Sequence, residues 1–451
     1  MITRIRMFFL EGHPRTLIAK KNIVGSLAVK GIGMILSLAL VPLTLDILDI
    51  AKYGTWMTLF SIVNWFSMMD IGLGNGFRNR FTEAVANYHV TEAKRLISFF
   101  YSFMVFLFLI YLFLITIGLP LLNWNKILNL NENFDENINK IVFFTFILFG
   151  LQQLTKNIRF ILLALQKTAL NNLLLLISNL IIFISILLLS SIIKNNLFIL
   201  ILIYMFSPVL VNVVATIILF TGELKRYLPN KIIFNKYYFI NTMNIGFQFF
   251  IIQIASLILF SSSNIIITQL WSPSAVTPYT IAFRLFNASI VIFTIFVSPF
   301  WSAWTEAYVK NDKKWIKNSL KKLIQIWIFF AVFNIIILIL SPLIYSIWLG
   351  KNINIPFMLS LQFFIYSLIL SLSSIPSFFL AGIGKLKITL RIAIVQICIY
   401  IPIAIFTNEL LNIGPIGIIV SLNFVLLLGF IFTGYQTILI LNNKAIGVWN
   451  K

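Results

Sequence analysis

Residues 197–221 read LFILILIYMFSPVLVNVVATIILFT, an apolar run without a single charged side chain. A helix crosses the hydrocarbon core of a bilayer when about 20 consecutive residues are mostly apolar, so this stretch predicts a transmembrane helix. Comparable runs recur along the whole chain, and we count twelve of them. Their predicted bounds are Ile23–Leu48, Gly54–Asn75, Ile97–Leu122, Ile141–Gln166, Thr168–Ile193, Leu197–Thr221, Ile240–Leu270, Val276–Ala303, Leu323–Leu349, Ile355–Ile383, Leu386–Phe406 and Ile413–Leu441.

The composition of the 451 residues fits no soluble class of protein. Hydrophobic residues make up 60% of the chain and charged residues 10%, whereas a soluble domain carries about 25% charged residues. So few charges cannot cover the surface of a water-soluble globule of this length. The composition therefore excludes a soluble enzyme, a nucleic-acid-binding domain and a disordered chain, and it leaves a polytopic membrane protein.

The positive charges are distributed unevenly between the predicted loops. The chain has 34 Lys and Arg against 13 Asp and Glu, a formal net charge of +21. With the N-terminus inside and the sides alternating, 25 of the 34 fall on the cytoplasmic side, 5 on the outer side and 4 well inside spans. This count assigns Lys387 and Arg391, at the cytoplasmic end of the eleventh span, to the cytoplasmic side. Cytoplasmic loops of membrane proteins are enriched in Lys and Arg. The distribution therefore predicts that both termini are cytoplasmic, and it accounts for the charge without a nucleic-acid partner.

Few residues are suited to metal or nucleophilic chemistry. The single cysteine, Cys398, cannot form a disulfide within the chain, and the two histidines, His13 and His89, lie in basic loops. No metal site, Ser-His-Asp triad or cofactor is predicted, and the chain is not expected to be an enzyme. The apolar part of Met1–Gly12 is too short for a signal peptide.

The two halves of the chain resemble each other. Phe81–Ala84 reads FTEA and Trp304–Ala307 reads WTEA, and the same shift along the chain that relates these motifs also relates Lys94 to Lys317. A second pair of turns aligns Leu163-Ala164 and the following lysine with Leu380-Ala381 and its lysine. Six helices per half give both halves the same orientation, as in transporters with parallel repeats. The predicted fold is all-α, with two six-helix lobes, 1–221 and 222–451, around a central cavity.

Ionisable side chains inside a span are costly, about 2.5–3.5 kcal/mol each, and usually face a cavity or a partner. Arg284 is the strongest candidate because it lies deep in the eighth span. Asn287 belongs to the same polar stripe, and Asn264 reaches a similar depth in the seventh span. These residues predict a hydrated cleft between the two helices; the alternative is a structural arginine paired with backbone carbonyls.

Four further ionisable residues lie within the predicted spans. Lys30 belongs to a stripe of small and polar residues in the first span, and it either serves the cavity or extends to the membrane surface. Lys156 and Arg159 are neighbours on the fourth helix, where anchoring at the cytoplasmic surface is an equal alternative. Asp70 either pairs with Arg78 or Arg80 or takes part in ion coupling or gating. Four intramembrane cations against one anion favour an anionic substrate, particularly a phosphate.

Five short segments carry a family resemblance. They are Asn22–Ser26 (NIVGS), Lys30-Gly31 (KG), Val41–Leu43 (VPL), Tyr53–Trp56 (YGTW) and Asp70–Asn79 (DIGLGNGFRN). Together they resemble polysaccharide flippases of the Wzx type, in the superfamily that includes multidrug/toxin extruders and lipid II flippases. Trp301–Lys317 and Leu380–Lys385 are similar to the second half of the same pattern.

The resemblance implies a bacterial inner-membrane flippase that moves an undecaprenyl-diphosphate-linked oligosaccharide, such as an O-antigen or lipopolysaccharide repeat unit, to the outer leaflet by alternating access. It implies a cationic cavity, in agreement with Lys30, Lys156, Arg159 and Arg284, although no family motif covers Lys156 or Arg159. Membrane lipids, a polysaccharide polymerase and a chain-length regulator are the partners it suggests.

Three other functions are open at this stage. A multidrug or cation antiporter of the same fold would be expected to line its cavity with carboxylates. Apart from Asp46 at the outer end of the first span, the spans offer only Asp70. A major-facilitator transporter would usually have a long central loop, whereas residues 222–238 form a short one. A membrane glycosyltransferase would need a large outer loop with catalytic acids, and the longest, residues 122–140, is a short Asn-rich segment.

Overall fold

The computed structural model describes residues 14–68, 70, 72–130, 134–165, 167–229, 232–298, 300–309, 311–350, 353–411 and 413–450. The predictions for Met1–Gly12 and His13 lie outside this range. Every regular element within it is a helix. The helices of eight residues or more are α1 Pro14–Ile47, α2 Ile50–Asn64, α3 Leu73–Ala86, α4 Val90–Gly118, α5 Ile138–Thr155, α6 Asn157–Ala164, α7 Thr168–Leu188, α8 Leu197–Thr221, α9 Lys236–Leu270, α10 Pro273–Val297, α11 Phe300–Val309, α12 Lys313–Leu349, α13 Phe357–Gly382, α14 Lys387–Leu411 and α15 Ile416–Leu441.

Ten stretches of helix in the described residues are long and apolar enough to cross a membrane. They match ten of the twelve predicted spans, and the sixth, Leu197–Thr221, has the predicted bounds. The seventh predicted span corresponds to α9, whose described apolar part is Leu257–Leu270. The second is divided into shorter helices. The all-α polytopic fold class is therefore confirmed.

The second predicted span, Gly54–Asn75, is not one helix. After α2 a 3₁₀ turn covers Trp65–Met68, and α3 begins only at Leu73. Gly72, directly before α3, has φ of 75°, a left-handed conformation that costs glycine nothing and other residues considerably more. The glycines that follow Asp70 in the sequence thus mark a break in the span.

Contacts divide the chain into two compact units. Unit 1 comprises Met1–Asp49 and Val63–Phe250, and unit 2 comprises Ile50–Ile62 and Ile251–Lys451. Most of α2 therefore packs with helices from the second half of the chain. The predicted lobe boundary between residues 221 and 222 remains a prediction.

The turn before the third long helix has the same conformation in both halves. Tyr88 has φ of 59° and Asn311 has φ of 56°. The shift along the chain that places Phe81 on Trp304 also places Tyr88 on Asn311. The same alignment pairs Val90, the first residue of α4, with Lys313, the first residue of α12. Backbone geometry thus supports the repeat that the FTEA and WTEA motifs predicted.

A second turn repeats with a slightly different shift. The backbone N–H of Lys167 donates to the carbonyl of Leu162 over 2.8 Å, and that of Lys385 donates to Leu380 over 3.0 Å. The two hydrogen bonds correspond when Lys167 is placed on Lys385 and Leu162 on Leu380. The sequence comparison, which aligned Leu163 with Leu380, is therefore out of register by a single position.

Each repeat motif begins with a buried aromatic residue at the centre of a core. In unit 1 Phe81 stacks on Phe77, which stacks in turn on Phe100 with ring centroids 4.2 Å apart. In unit 2 the equivalent Trp304 meets Phe379 edge-on at 5.8 Å. Phe81 and Trp304 are both fully buried. The repeated motif therefore marks the point where α3 or α11 packs into its own core.

Candidate functional site

The side chain of Arg284 has a poor hydrogen-bond partner. Arg284 is partly buried on α10, and its Nη2 atom lies 3.5 Å from Sδ of Met57, its one hydrogen-bond partner among the described residues. A thioether is a weak acceptor, whereas a guanidinium carries five N–H donors. Among the described residues, most of the donors of Arg284 are therefore available to a ligand. The described contacts include no hydrogen bond from Arg284 to a backbone carbonyl, which was the alternative.

The hydroxyl of Tyr53 lies within electrostatic range of Arg284. Tyr53 is 1% exposed, and its oxygen has no hydrogen-bond partner among the described residues. An unpaired buried hydroxyl costs about 1–3 kcal/mol. Tyr53 and Arg284 are thus two polar side chains with unused hydrogen-bonding capacity among the described residues.

A close contact between α2 and α10 holds Tyr53 and Met57 near Arg284. Thr277 Oγ1 donates to the carbonyl of Ile50 over 2.8 Å. A Cβ atom at Gly54 would stand 1.7 Å from the carbonyl oxygen of Pro273. Only glycine permits this approach, so Gly54 sets the distance between the two helices.

Asn264 takes part in a polar ladder between α2 and α9. Its Nδ2 atom donates to Ser61 Oγ over 2.9 Å, and one turn along the same helices the hydroxyls of Thr58 and Thr268 lie 2.6 Å apart. The ladder thus ties Asn264 into helix packing. Its predicted substrate contact stays a prediction.

The other polar residues along α9 and α10, including Ser263, Thr280 and Thr294, which we also assign to the predicted cleft, differ in their surroundings. Ser263 is buried, and its hydroxyl is 2.7 Å from that of Tyr400. Thr280 and Thr294 donate to carbonyls of their own helix. Asn287 is partly buried and lies one helical turn beyond Arg284 on the same face. Of the predicted polar stripe, Arg284 and Asn287 are the members best placed to meet a ligand.

A second set of predicted residues meets in unit 1. Asp70 is 7% exposed, and its carboxylate accepts the backbone N–H groups of Gly72 over 3.3 Å and Gly74 over 3.1 Å. The predicted pairing of Asp70 with Arg78 or Arg80 is wrong in the described residues, because Asp70 caps the first turn of α3 instead. Backbone N–H groups at a helix start favour an anion there.

Lys156 lies within electrostatic range of Asp70, at the break between α5 and α6. Its Nζ atom donates to Gln153 Oε1 over 3.2 Å and stands 5.7 Å from the ring centroid of Phe160. A Cβ atom at Gly74 would meet the same ring at 2.2 Å. Glycine at position 74 thus lets α3 approach the helix that follows Lys156.

Arg159 is one turn further along and has a polar partner. Its Nε atom donates to Asn171 Oδ1 over 2.9 Å, which leaves its terminal N–H groups available. Asn157 stands between Lys156 and Arg159; it is fully buried, and neither polar atom of its side chain has a partner among the described residues. Unit 1 therefore collects two cations, one anion and an unsatisfied amide around one helix break.

Lys30 belongs to unit 1. It is exposed on α1 and has no hydrogen-bond or ion-pair partner among the described side chains. A Cβ atom at Gly31 or Gly33 would meet nothing within 4 Å. The side chains of Asn22 and Ser26, which complete its predicted stripe, lie outside the described residues.

A family model described as "Polysaccharide biosynthesis protein" matches residues 19–303. The match covers more than half of the chain, including Lys30, Asp70, Lys156, Arg159 and Arg284. The chain belongs to this family. The resemblance to polysaccharide flippases that the first two spans indicated is thereby confirmed.

Two curated relatives support the membership in the polysaccharide biosynthesis family. A protein named for O-antigen export in Yersinia pseudotuberculosis is 23% identical over 362 residues, which is 77% of this chain and 79% of that protein. A protein named as an O-antigen transporter in Salmonella typhi is 24% identical over 351 residues, 76% of this chain and 77% of that protein. With its apolar helices, this member of the family is a multi-pass bacterial membrane protein.

Solved structures identify the fold of this family member. An inward-facing multidrug resistance MATE family transporter of the MOP superfamily matches with a TM-score of 0.74, covering 94% of this chain and all of the other, at 12% identity. An outward-facing MATE transporter of that superfamily matches with a TM-score of 0.58 and 14% identity, covering 97% of this chain and 98% of the other. The chain has the MATE-type transporter fold.

Sequence reasoning missed Tyr53, Met57 and Gln153 as neighbours of the candidate cations. Tyr53 belongs to the YGTW segment that carries the family resemblance. That segment indicated that this part of the second span matters, but it did not indicate a contact with Arg284. Contact between the second and eighth spans could not be read from the spacing within either one. The packing of α2 within unit 2 brings Tyr53 and Met57 near Arg284.

Proposed function

We propose that this protein is a flippase, with no catalytic chemistry of its own. It moves an undecaprenyl-diphosphate-linked oligosaccharide across the bacterial cytoplasmic membrane, with both of its termini in the cytoplasm. The family membership and the names of the relatives support this class of substrate. Charged head groups cannot cross hydrocarbon unaided, because an ion loses its hydration there. The protein therefore has to replace water around the diphosphate.

The observation that carries the proposal is the environment of Arg284. A partly buried guanidinium within a span has a thioether as its described hydrogen-bond partner, and the buried hydroxyl of Tyr53 beside it is unpaired among the described residues. Arginine binds a phosphate with two parallel hydrogen bonds, which fixes its orientation. In this proposal Arg284 binds the diphosphate, and Asn287 and Asn264 contact the sugars.

Lys156 and Arg159 provide a second cationic position, and Lys30 a third. Asp70 is bound to two backbone N–H groups of α3 and lies within electrostatic range of Lys156. A phosphate that attracts Lys156 would weaken this interaction. We propose that the Asp70–Lys156 interaction responds to substrate at the break between α5 and α6 and so acts in gating.

Transport by alternating access follows from the transporter fold. The diphosphate and sugars are held by the protein while the polyprenyl tail stays in the bilayer, and two six-helix lobes move against each other. The chain contains no GxxxxGK[ST] phosphate-binding motif, so the proposal uses a gradient or consumption of the product as its driving force. A polymerase and a chain-length regulator that use the flipped product are its proposed partners.

The antiporter alternative receives less support. An organic cation in a membrane cavity is expected to be bound by carboxylates, and Asp70 is the one carboxylate that lies away from the ends of the predicted spans. Both oxygens of that carboxylate already accept backbone hydrogen bonds.

The test is complementation of cells that lack their own polysaccharide flippase and retain matching synthesis genes. Surface polysaccharide is measured with the wild-type chain, Arg284→Ala, Arg284→Lys and the exposed control Arg391→Ala. We expect wild type and Arg391→Ala to restore it. Arg284→Ala should lower export about tenfold or more, because a hydrogen bond to a charged group contributes about 1.5–3 kcal/mol. Arg284→Lys should restore part of it.

Two results would contradict the proposal at different points. Full export by Arg284→Ala at equal membrane levels would show that Arg284 is not part of the substrate site, while the proposed flippase function would stand. No export by the wild-type chain, with substrate made and protein present, would reject the flippase itself.

A further inference from the structure

A groove of about 350 Å³ opens in unit 2 between α12, α13 and α15. Its walls are apolar side chains and one glycine, with a single threonine. Two cations, Lys317 and Lys321, stand in the lining as well. An apolar groove with a pair of lysines differs from the uniformly apolar surface that a membrane helix usually presents to lipid.

The two lysines occupy one end of the groove. Lys317 lies one turn into α12, and its Nζ atom donates to Oδ1 of Asn442, directly after the end of α15, over 3.2 Å. The opposite end is formed by Ile324 and Phe430, further into the spans. The groove is therefore basic at the membrane surface and apolar inside the membrane.

The length of the groove equals about one leaflet. Its lining on α15 runs from Phe430 to Leu441, and eleven steps of 1.5 Å give about 16 Å. The hydrocarbon core of a bilayer is about 30 Å thick. A phospholipid acyl chain extends through half of it, whereas a long polyprenyl chain extends well beyond a groove of this length.

We propose that this groove binds an anionic phospholipid, with one acyl chain between the three helices and the phosphate beside Lys317 and Lys321. Basic residues at the membrane surface attract anionic lipids. Binding of this lipid connects α12 to α13 and α15. The site is separate from the proposed transport residues and does not depend on the proposed function.

The aligned positions of the first half keep one lysine of the pair, because Lys94 aligns with Lys317. The shift that places Phe81 on Trp304 puts Ser98 where Lys321 stands and Tyr101 where Ile324 stands. Ser98 is buried and donates to the carbonyl of Lys94 over 2.9 Å. A cavity of about 530 Å³ beside Tyr101 has no cation among the described residues of its lining.

The test measures lipid binding to the purified full chain by native mass spectrometry, with phosphatidylglycerol and phosphatidylcholine as probes. We expect preferential retention of phosphatidylglycerol by the wild type. The double variant Lys317→Gln/Lys321→Gln should bind it about tenfold more weakly. The matched control Lys314→Gln/Lys322→Gln removes the same charge from exposed positions of α12 that do not line the groove, and it should bind as the wild type does.

A second variant tests the apolar part without changing charge. A Cβ atom at Gly434 would meet only Phe430, at 3.9 Å, so Gly434→Leu places a side chain in the groove without a backbone clash. We expect it to lose the bound phosphatidylglycerol while its Tm in detergent alone stays at or above the wild-type value.

Three outcomes would overturn the proposal. If the two double variants weakened phosphatidylglycerol binding equally, the effect would come from the general charge of the surface and not from this groove. Equal retention of phosphatidylcholine would remove the preference for an anion. Displacement of phosphatidylglycerol by equimolar undecaprenyl phosphate would assign the groove to a prenyl lipid instead.

Discussion

Gly54 has no room for a side chain, because a Cβ atom there would stand 1.7 Å from a backbone oxygen of Pro273. Gly54→Ala should therefore force α2 and α10 apart and destabilise unit 2 by about 1–3 kcal/mol, the usual cost of overpacking. Thermal unfolding in detergent measures this as a lower Tm. Gly118→Ala is the control, since a Cβ atom there meets nothing within 4 Å. An unchanged Tm for Gly54→Ala would contradict the close contact.

Asp70 combines a cap on α3 with a position near Lys156. Asp70→Ala should lower stability by about 1 kcal/mol through loss of the cap. Asn has one acceptor oxygen where Asp has two, so Asp70→Asn should keep one of the two backbone hydrogen bonds and should cost less stability than Asp70→Ala. If the charge serves gating, Asp70→Asn should nevertheless lose export in the complementation assay. Full export by Asp70→Asn would leave Asp70 a structural role alone.

At the scale of elements, the turns at Tyr88 and Asn311 allow a reciprocal test. Both residues have a left-handed backbone, which Asn tolerates better than a bulky side chain. Tyr88 is 89% exposed, so its ring makes few contacts that could offset the cost of the left-handed backbone. We expect Tyr88→Asn to raise the free energy of unfolding by about 0.5–1 kcal/mol and Asn311→Tyr to lower it similarly. The two shifts in Tm should have opposite signs; the same sign would contradict a shared turn.

The positions of helix breaks were only partly predictable. Glycines allow a helix to break or to approach a neighbour closely, and both occur after Asp70, where Gly72 has positive φ and Gly74 packs against Phe160. The break at Lys156 has neither glycine nor proline. Its sequence reads as one continuous apolar helix, so it is set by tertiary packing.

At the scale of the whole molecule, the predicted topology can be mapped with introduced cysteines. Cys398→Ser gives a cysteine-free background. Tyr88 and Leu121 are 89% and 79% exposed and are predicted on the cytoplasmic and outer sides. A membrane-impermeant maleimide should label Leu121→Cys but not Tyr88→Cys in intact cells, and both after lysis. The reverse pattern would invert the predicted orientation of the termini.

The sequence by itself determined that the chain is helical, crosses the membrane many times and contains two related halves. These properties depend on local hydrophobicity, on the distribution of Lys and Arg, and on short repeated motifs, all of which are readable within one segment. The family resemblance depended likewise on motifs within the first two spans.

Only the tertiary structure decided which residues meet. Arg284 was predicted from its depth in a span, but its neighbours Met57 and Tyr53 come from another span in the opposite half of the sequence. Asp70 was expected to pair with an arginine of its own segment, yet the turn at Gly72 directs backbone N–H groups at it. Side-chain partners across helices depend on packing over long sequence separations, and one-dimensional spacing does not encode those distances.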